Sequence, residues 1–422
     1  MPENTNDKWE GPSVKMVTQF FHPDTSANAT ILTELAIGLA DRGVDIDVLT
    51  GQPAYSSADR ERTEPKFEVY EGVPIRRIIA TRFDKNEGTK YRLLNDVSFF
   101  LSAFLHLLFS RRKQTLLLPT APPFLPILGW WLGTIRGYSY VPVVYDLYPD
   151  MAVELGYLSE DGVVYRVWDW LNRCAYRRAD EVITIGETMK ETLVSKYGEE
   201  CNVTVIHNWE DGEFIQPQQK TENEFSWEHN LVEPTTVLYS GNLGLHHDLE
   251  SVVEAASKLE KTRRSVSDQF EFLFIGEGGK KPKLMEMAAD YGLDTVSFLP
   301  YQPKEVLPDS LTSGDIALVT MEEGVEGLCV SSKFYTALAS GQAVLAISKP
   351  DSEIGRVVER TGCGIRVDPQ SPDQIVDAIT RWLDDPEMTE KMGERAREVF
   401  EQEFNKQRSL KQYHEQLSKV DG

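Results

Sequence analysis

Residues Val325–Ile347 read VEGLCVSSKFYTALASGQAVLAI. A glycine-bearing loop and Ser-Ser-Lys lead into a segment with helical spacing and small residues, and an apolar strand follows. A loop that feeds a helix start presents unpaired backbone N–H groups, and the helix dipole adds partial positive charge there. Lys333, in the first turn, adds a full positive charge. The stretch therefore reads as a phosphate clamp. It is not a P-loop, because GxxxxGK[ST] does not occur in the chain. A second glycine loop lies upstream in LYSGNLGLHHDLESVVEAA (238–256), and PDSEIG, with Glu353, follows.

Outward from this stretch, strand-like and helix-like segments alternate. In the first half, strands are expected over 14–21, 44–50, 73–79, 116–118, 141–145, 181–185 and 203–207. Helices are expected near 31–42, 93–111, 123–136, 161–178 and 187–198. Residues 208–234 are polar, carry Pro217 and Pro234, and interrupt the pattern. It then restarts, with strands over 236–239, 270–275, 296–299, 316–320, 343–347 and 365–367. The helices expected there are 249–258, 281–291, 331–340, 372–383 and 389–417. Strands separated by helices imply parallel βαβ units. The expectation is two successive doubly wound α/β domains with ligands at the carboxyl ends of the strands, facing a cleft between them. The boundaries are placed at 1–212, a linker at 213–234, and 235–399, with a C-terminal helix near 400–422 returning to the first domain.

The chain has 422 residues and a formal net charge of −23. That balance argues against nucleic-acid binding and suits solubility in concentrated salt, a halophilic reading. Residues 206–422 hold 22 Lys+Arg against 39 Asp+Glu. Residues 76–113 reverse the sign: nine basic residues (Arg76, Arg77, Arg82, Lys85, Lys90, Arg92, Arg111, Arg112 and Lys113) face Asp84, Glu87 and Asp96. Four cysteines without CxxC spacing read as reduced thiols of a cytosolic protein. No signal peptide is visible, and no apolar run reaches the ~20 residues of a spanning helix. The nearest is VSFFLSAFLHLLF (97–109), followed by Ser-Arg-Arg-Lys; a second apolar stretch, 123–135, contains Trp130 and Trp131. Together they read either as a monotopic membrane surface near 93–135 or as helices buried against the sheet.

The order of motifs resembles the family 4 glycosyltransferases of the GT-B fold, in particular the branch of colanic-acid and O-antigen type transferases of bacteria and archaea. The resemblance runs from VKMVTQFFHPDTSANAT through TELAIGLADRGVDIDVLTGQP, VVYDLYPDMAVELGYL, VIHNWEDGEFIQP, LYSGNLGLHHDLESVVEAA, FLFIGEGGKKPKL and VSFLPYQPKEVLPDSLTSGDIALVTM to the opening stretch. It implies two Rossmann-like domains and a retaining, metal-independent transfer of a hexosyl group. The donor would be a UDP- or GDP-linked sugar, and no cofactor is needed. The acceptor would be a lipid-linked glycan (on a polyprenyl or dolichyl phosphate) or a polysaccharide, in cell-surface or glycoprotein glycan assembly. The place of work would be the cytoplasmic face of the membrane.

By the same resemblance, Gly241, Asn242, Gly244 and His247 line the donor diphosphate. Relatives often carry Arg and Lys where Asn242 and His247 stand. Lys333 then becomes the cation that neutralises the leaving group. Ser331 and Ser332 bind phosphate or cap the helix. Gly276, Glu277 and Gly278 form a second donor loop, and backbone near Phe298 and Pro300 holds the base. The family's two-glutamate signature is altered: Thr336 stands at the second position and Glu326 lies two residues early for the first. Glu326 and Glu353 are both expected to face the donor sugar. On the acceptor side stand His22, Ser26, Ala27, Asn28 and Asp146, with Lys333, Glu326 and Asp146 as the catalytic set. Two alternatives stay open: a GT-B sugar-nucleotide 2-epimerase, and a degenerate GT-B protein that binds sugar nucleotide without catalysis.

Overall fold

The structure, a computed structural model, describes residues 11–84, 88–244, 247–262, 270–321 and 324–421. Lys85 and Glu87 of the basic segment, and Leu245 and His246 of the upstream glycine loop, lie outside the described residues. The chain divides into two compact units. One runs to Ile206 and takes back the chain from Ser409; the other spans His207–Arg408.

The first unit is built on eight strands: β1 (Ser13–Val17), β2 (Asp45–Thr50), β3 (Phe67–Tyr70), β4 (Val73–Arg77), β5 (Thr115–Pro119), β6 (Tyr140–Val144), β7 (Val182–Thr184) and β8 (Val203–Val205). Their order is β3-β4-β2-β1-β5-β6-β7-β8. All pairings are parallel except β3 with β4. Every residue of β5 and β6 is buried. This explains why these strands read as unbroken apolar runs rather than alternating ones. The order reverses direction between β1 and β5. Right-handed crossovers therefore place helix Ala27–Ala40 on one face and helices Thr89–Leu108, Leu125–Arg136 and Val163–Tyr176 on the other. The C-terminal helix Lys406–Asp421 belongs to this unit. A Cβ at Gly38 would sit 2.4 Å from Leu410 Cδ1, so the two helices meet closely at a glycine and a larger residue there would have to displace Leu410.

The second unit has six parallel strands: β9 (Thr235–Ser240), β10 (Phe270–Ile275), β11 (Val296–Leu299), β12 (Ile316–Thr320), β13 (Ala343–Ile347) and β14 (Gly364–Val367). Their order is β11-β10-β9-β12-β13-β14, with the reversal between β9 and β12.

Three expectations differ from what is seen. Residues 213–234 are not a free linker: they form a short helix, Glu224–Glu228, and bury Phe225 and Leu231 with Leu238 and Leu273 of the second unit. The first unit ends at Ile206 rather than 212, and the chain rejoins it at Ser409 rather than near 400. The long helix expected over 389–417 is two helices, Pro386–Val399 and Lys406–Asp421, separated by a widened turn at Phe400–Phe404. Asn405 breaks it: its backbone is extended and its side chain accepts the Arg408 N–H at 2.9 Å. The two ends of the second unit run side by side, with Glu210 bridged to Asn405. Arg397 fastens them, donating to the carbonyls of Gly212, Ile215 and Ala339.

Candidate functional site

In the second unit the candidate site gathers at the switch between β9 and β12, where open α/β sheets hold ligands. The loops after β9 and β10 are pressed together. Gly241 donates to the Ile275 carbonyl at 2.8 Å, and Leu243 donates to that of Glu277 at 2.9 Å. A Cβ at Gly276 would fall 1.9 Å from the Gly241 carbonyl oxygen, and one at Gly278 2.3 Å from that of Leu243. Both residues have positive φ, so glycine is required twice over. Lys333 reaches this cradle from the first turn of helix Ser332–Ala339, with its Cε 2.7 Å from where a Gly241 Cβ would be. Its ammonium lies 5.2 Å from the centre of the Tyr239 ring. Among the described residues no carboxylate pairs with it, and burial lowers its pKa to about 8. Ser331 occupies the N-cap position but makes no capping bond with its side chain, and Ser332 is exposed, so both hydroxyls stay available.

The other expected donor residues are placed as follows. The His247 ring Nδ1 is 2.8 Å from the Tyr239 hydroxyl, which also donates to the Asn242 carbonyl. The ring is thereby held beside the glycine loop. The Gly244 Cα faces the Asn242 amide. Glu277 pairs with Lys281, whose Nζ also donates to the Gly276 carbonyl at 2.9 Å. The side chain of Phe298 stacks on Phe274 within the core, leaving only its backbone to the outer edge of β11; Pro300 beyond it is exposed. Thr336 lies one turn beyond Lys333 and donates to Glu210 at 2.8 Å. Glu326 bends back onto its own turn: it accepts the Gly324 N–H at 2.7 Å and lies 3.9 Å from Lys349. Glu353 is buried at the start of helix Glu353–Thr361, 4.0 Å from the His207 ring.

In the first unit a cavity of about 310 Å³ opens at the carboxyl ends of β1, β2, β5 and β6. Ser26, Ala27, Asn28 and Asp146 line it together. Ser26 is committed as the N-cap of helix Ala27–Ala40, accepting the Ala29 N–H at 3.1 Å. His22 is not in the cavity wall; its ring stacks on Tyr70 at 3.6 Å. The cavity also contains residues not expected at the acceptor site: Arg92 and Asp96, read from the sequence only as part of the basic segment, with Asn95, Tyr55 and Tyr148. Asp96 and Asp146 both have pKa values raised to about 6 by burial, and Arg92 counteracts the shift in each. Two protonatable carboxyls around one guanidinium can accept and return a proton and can hold sugar hydroxyls. The missed signal was Asn95-Asp96 next to the apolar run of that helix.

Among the described residues no three His, Cys, Asp or Glu side chains gather as metal ligands.

Two family profiles match. One, described as glycosyl transferase 4-like domain, covers residues 28–209; the other, glycosyl transferases group 1, covers residues 220–399. The putative colanic acid biosynthesis glycosyl transferase WcaI of Escherichia coli K12 is 26% identical over 404 residues, 93% of this chain and 96% of that protein. The probable glycosyltransferase WbjE of Pseudomonas aeruginosa is 26% identical over 312 residues, 72% of this chain and 74% of that protein. Among solved structures, Anabaena HepE in complex with UDP and glucose superposes with a TM-score of 0.70 at 15% identity, over 97% of this chain and 100% of that one.

Proposed function

Since the chain belongs to the family 4 glycosyltransferases of the GT-B fold, we propose that it moves a sugar, with retention, from a nucleoside-diphosphate sugar to a lipid-linked or polysaccharide glycan acceptor. The observation that carries this reading is the partly buried Lys333, which no carboxylate among the described residues pairs, against the glycine cradle at the β9/β12 switch. Departure of a nucleoside diphosphate puts new charge on its β-phosphate. Lys333 and the first N–H groups of helix Ser332–Ala339 take up that charge in this reading. In this reading Lys333 supplies the positive charge in place of a bound metal. UDP is the first donor base to try, because HepE is described in complex with UDP and glucose. The first-unit cavity, with Asp96, Asp146 and Arg92, is the acceptor side. Retention follows from same-face attack, in which the departing diphosphate takes the acceptor's proton. Glu326 and Glu353 are kept in this reading as the carboxylates that face the donor sugar.

The acceptor is taken to be lipid-linked and the enzyme peripheral on the cytoplasmic face, because helix Thr89–Leu108 leaves large apolar side chains exposed beside cationic ones. No described helix is long and apolar enough to cross a membrane.

A thermal-shift panel of UDP-, GDP-, dTDP- and ADP-sugars on wild type and Lys333→Met tests the reading. Stabilisation by one base class in wild type, reduced tenfold or more in apparent affinity by the substitution, is expected. No shift with any donor overturns it. A binding-only reading draws on Thr336 in the place of the family's second glutamate, its hydroxyl already committed to Glu210. Slow donor hydrolysis without acceptor separates a catalyst from a binder.

A further inference from the structure

The three helices on one face of the first sheet share a feature that a water-facing layer does not have. On helix Thr89–Leu108 the outward row is Leu94, Val97, Leu101 and Leu105, and it continues into Phe109, which is 77% exposed. The spacing is that of one helical stripe. On helix Leu125–Arg136 the outward residues are Trp131 and Ile135, one turn apart. On helix Val163–Tyr176 they are Val163, Val167 and Trp170, again one stripe, with Val163 76% and Trp170 56% exposed. A water-facing surface helix carries its polar side outward; each of these carries a second apolar stripe there.

The stripes are neighbours. Trp131 packs edge-on against Phe100 and Phe104 at 5.6 and 5.9 Å, and Trp130 packs edge-on against Trp170 at 6.1 Å. These ring contacts make the three helices neighbours, so their exposed apolar residues lie on adjacent helices of one layer, and apolar surface gathered in this way marks an interaction surface. The same helices and the segments that flank them carry exposed Lys90, Arg92, Arg111, Lys113 and Arg166, against exposed Glu160 and Asp161. On a chain with a net charge of −23, this is a local cationic rim around an apolar centre.

We infer that helices Thr89–Leu108, Leu125–Arg136 and Val163–Tyr176 form a single docking face for an anionic lipid bilayer, with Val163, Val167 and Trp170 as part of its inserted surface. The occupant follows from the chemistry of the face. Aliphatic and tryptophan side chains at the centre suit the acyl boundary, and a ring of Lys and Arg suits lipid phosphates. The inference deepens the peripheral-membrane part of the proposed function and rests on it for the identity of the acceptor side. Helix Val163–Tyr176 is the new part: its charged residues conceal the stripe in the sequence, and it lies outside the 93–135 stretch. Arg92 joins the two roles, since it sits on the rim and also lines the acceptor cavity.

The test is flotation of the full chain with phosphatidylglycerol–phosphatidylcholine vesicles and with phosphatidylcholine alone. The variants are Val163→Ser/Val167→Ser/Trp170→Ser, Leu101→Ser/Leu105→Ser and Arg111→Gln/Lys113→Gln. Each apolar variant should lower partitioning about tenfold or more on the anionic vesicles. The rim variant should lower it on anionic vesicles and leave the weak binding to neutral ones unchanged. Two outcomes overturn the inference: wild type that floats with neither vesicle, or a Val163/Val167/Trp170 variant that floats like wild type. If sedimentation shows wild type dimeric and that variant monomeric with flotation unchanged, the face is a self-association surface and the inference falls. Nucleotide thermal shift on the same proteins keeps the two readings apart. A lost nucleotide shift with intact flotation removes the transferase reading and leaves the face; the reverse removes the face alone.

Discussion

Lys333 is a cation held where burial disfavours one. Its folded pKa of about 8 lies below the 10.5 of the free side chain. The folded state therefore binds fewer protons between those values, and stability rises with pH across that window. At neutral pH the charged lysine costs the apo fold on the order of 1–3 kcal/mol. Lys333→Met should raise Tm at pH 7, with the gain shrinking as pH climbs from about 8 towards 10.5, read by calorimetry across pH. In wild type, affinity for a nucleoside diphosphate should fall as pH rises through about 8. In the variant it should be weak and flat. Asp96 has the opposite sign. Its carboxyl is raised from 3.8 to about 6 by burial, so the associated stability is present below pH 3.8 and lost as pH rises through about 6. Asp96→Asn should stabilise the apo protein at pH 8 by on the order of 1 kcal/mol or more and give no gain near pH 4. If Asp96 holds the acceptor, the same substitution should raise the acceptor KM.

At the scale of elements, the two glycine loops are the most constrained part of the donor cradle. Gly276→Ala forces a Cβ into the Gly241 carbonyl at a positive φ, and it should cost on the order of 2 kcal/mol or more. Nucleotide binding should be lost with it, measured by titration on protein shown to be folded. The reading of these elements from sequence succeeded where a run was apolar and bounded. Strands such as β5, β6 and β13 are buried on both faces and announce themselves. It missed β3, because Phe67–Tyr70 is an edge strand whose Phe67 and Val69 are exposed, so no core pattern marks it. It missed helix Glu353–Thr361, whose apolar side is only Ile354, Val357 and Val358. The Lys333 cradle was legible because glycine, serine and lysine at a strand–helix turn have few other uses. The Arg92–Asp96–Asp146 group was not, because it is assembled from a helix and a strand end more than forty residues apart.

At the scale of the whole molecule, a net charge of −23 is self-repulsion spread over two units, with most of it on residues 206–422. Salt screens it over a Debye length of about 10 Å at 0.1 M and about 3 Å at 1 M. The melting temperature of the full chain should therefore rise between about 0.1 M and about 1 M potassium chloride. A flat or falling profile would set aside the halophilic reading.

The closing helix, Lys406–Asp421, lies across Gly38 of the first unit, although nearly two hundred residues of another unit separate it from the rest of that unit in the chain. During synthesis the helix that follows the second unit is thus a missing wall of the first, and Leu410, Tyr413 and Leu417 are among the buried side chains it supplies. Until then the early-made half waits with an apolar flank open. The later-made half, whose two ends already meet at Glu210 and Asn405, has everything it needs to close on its own.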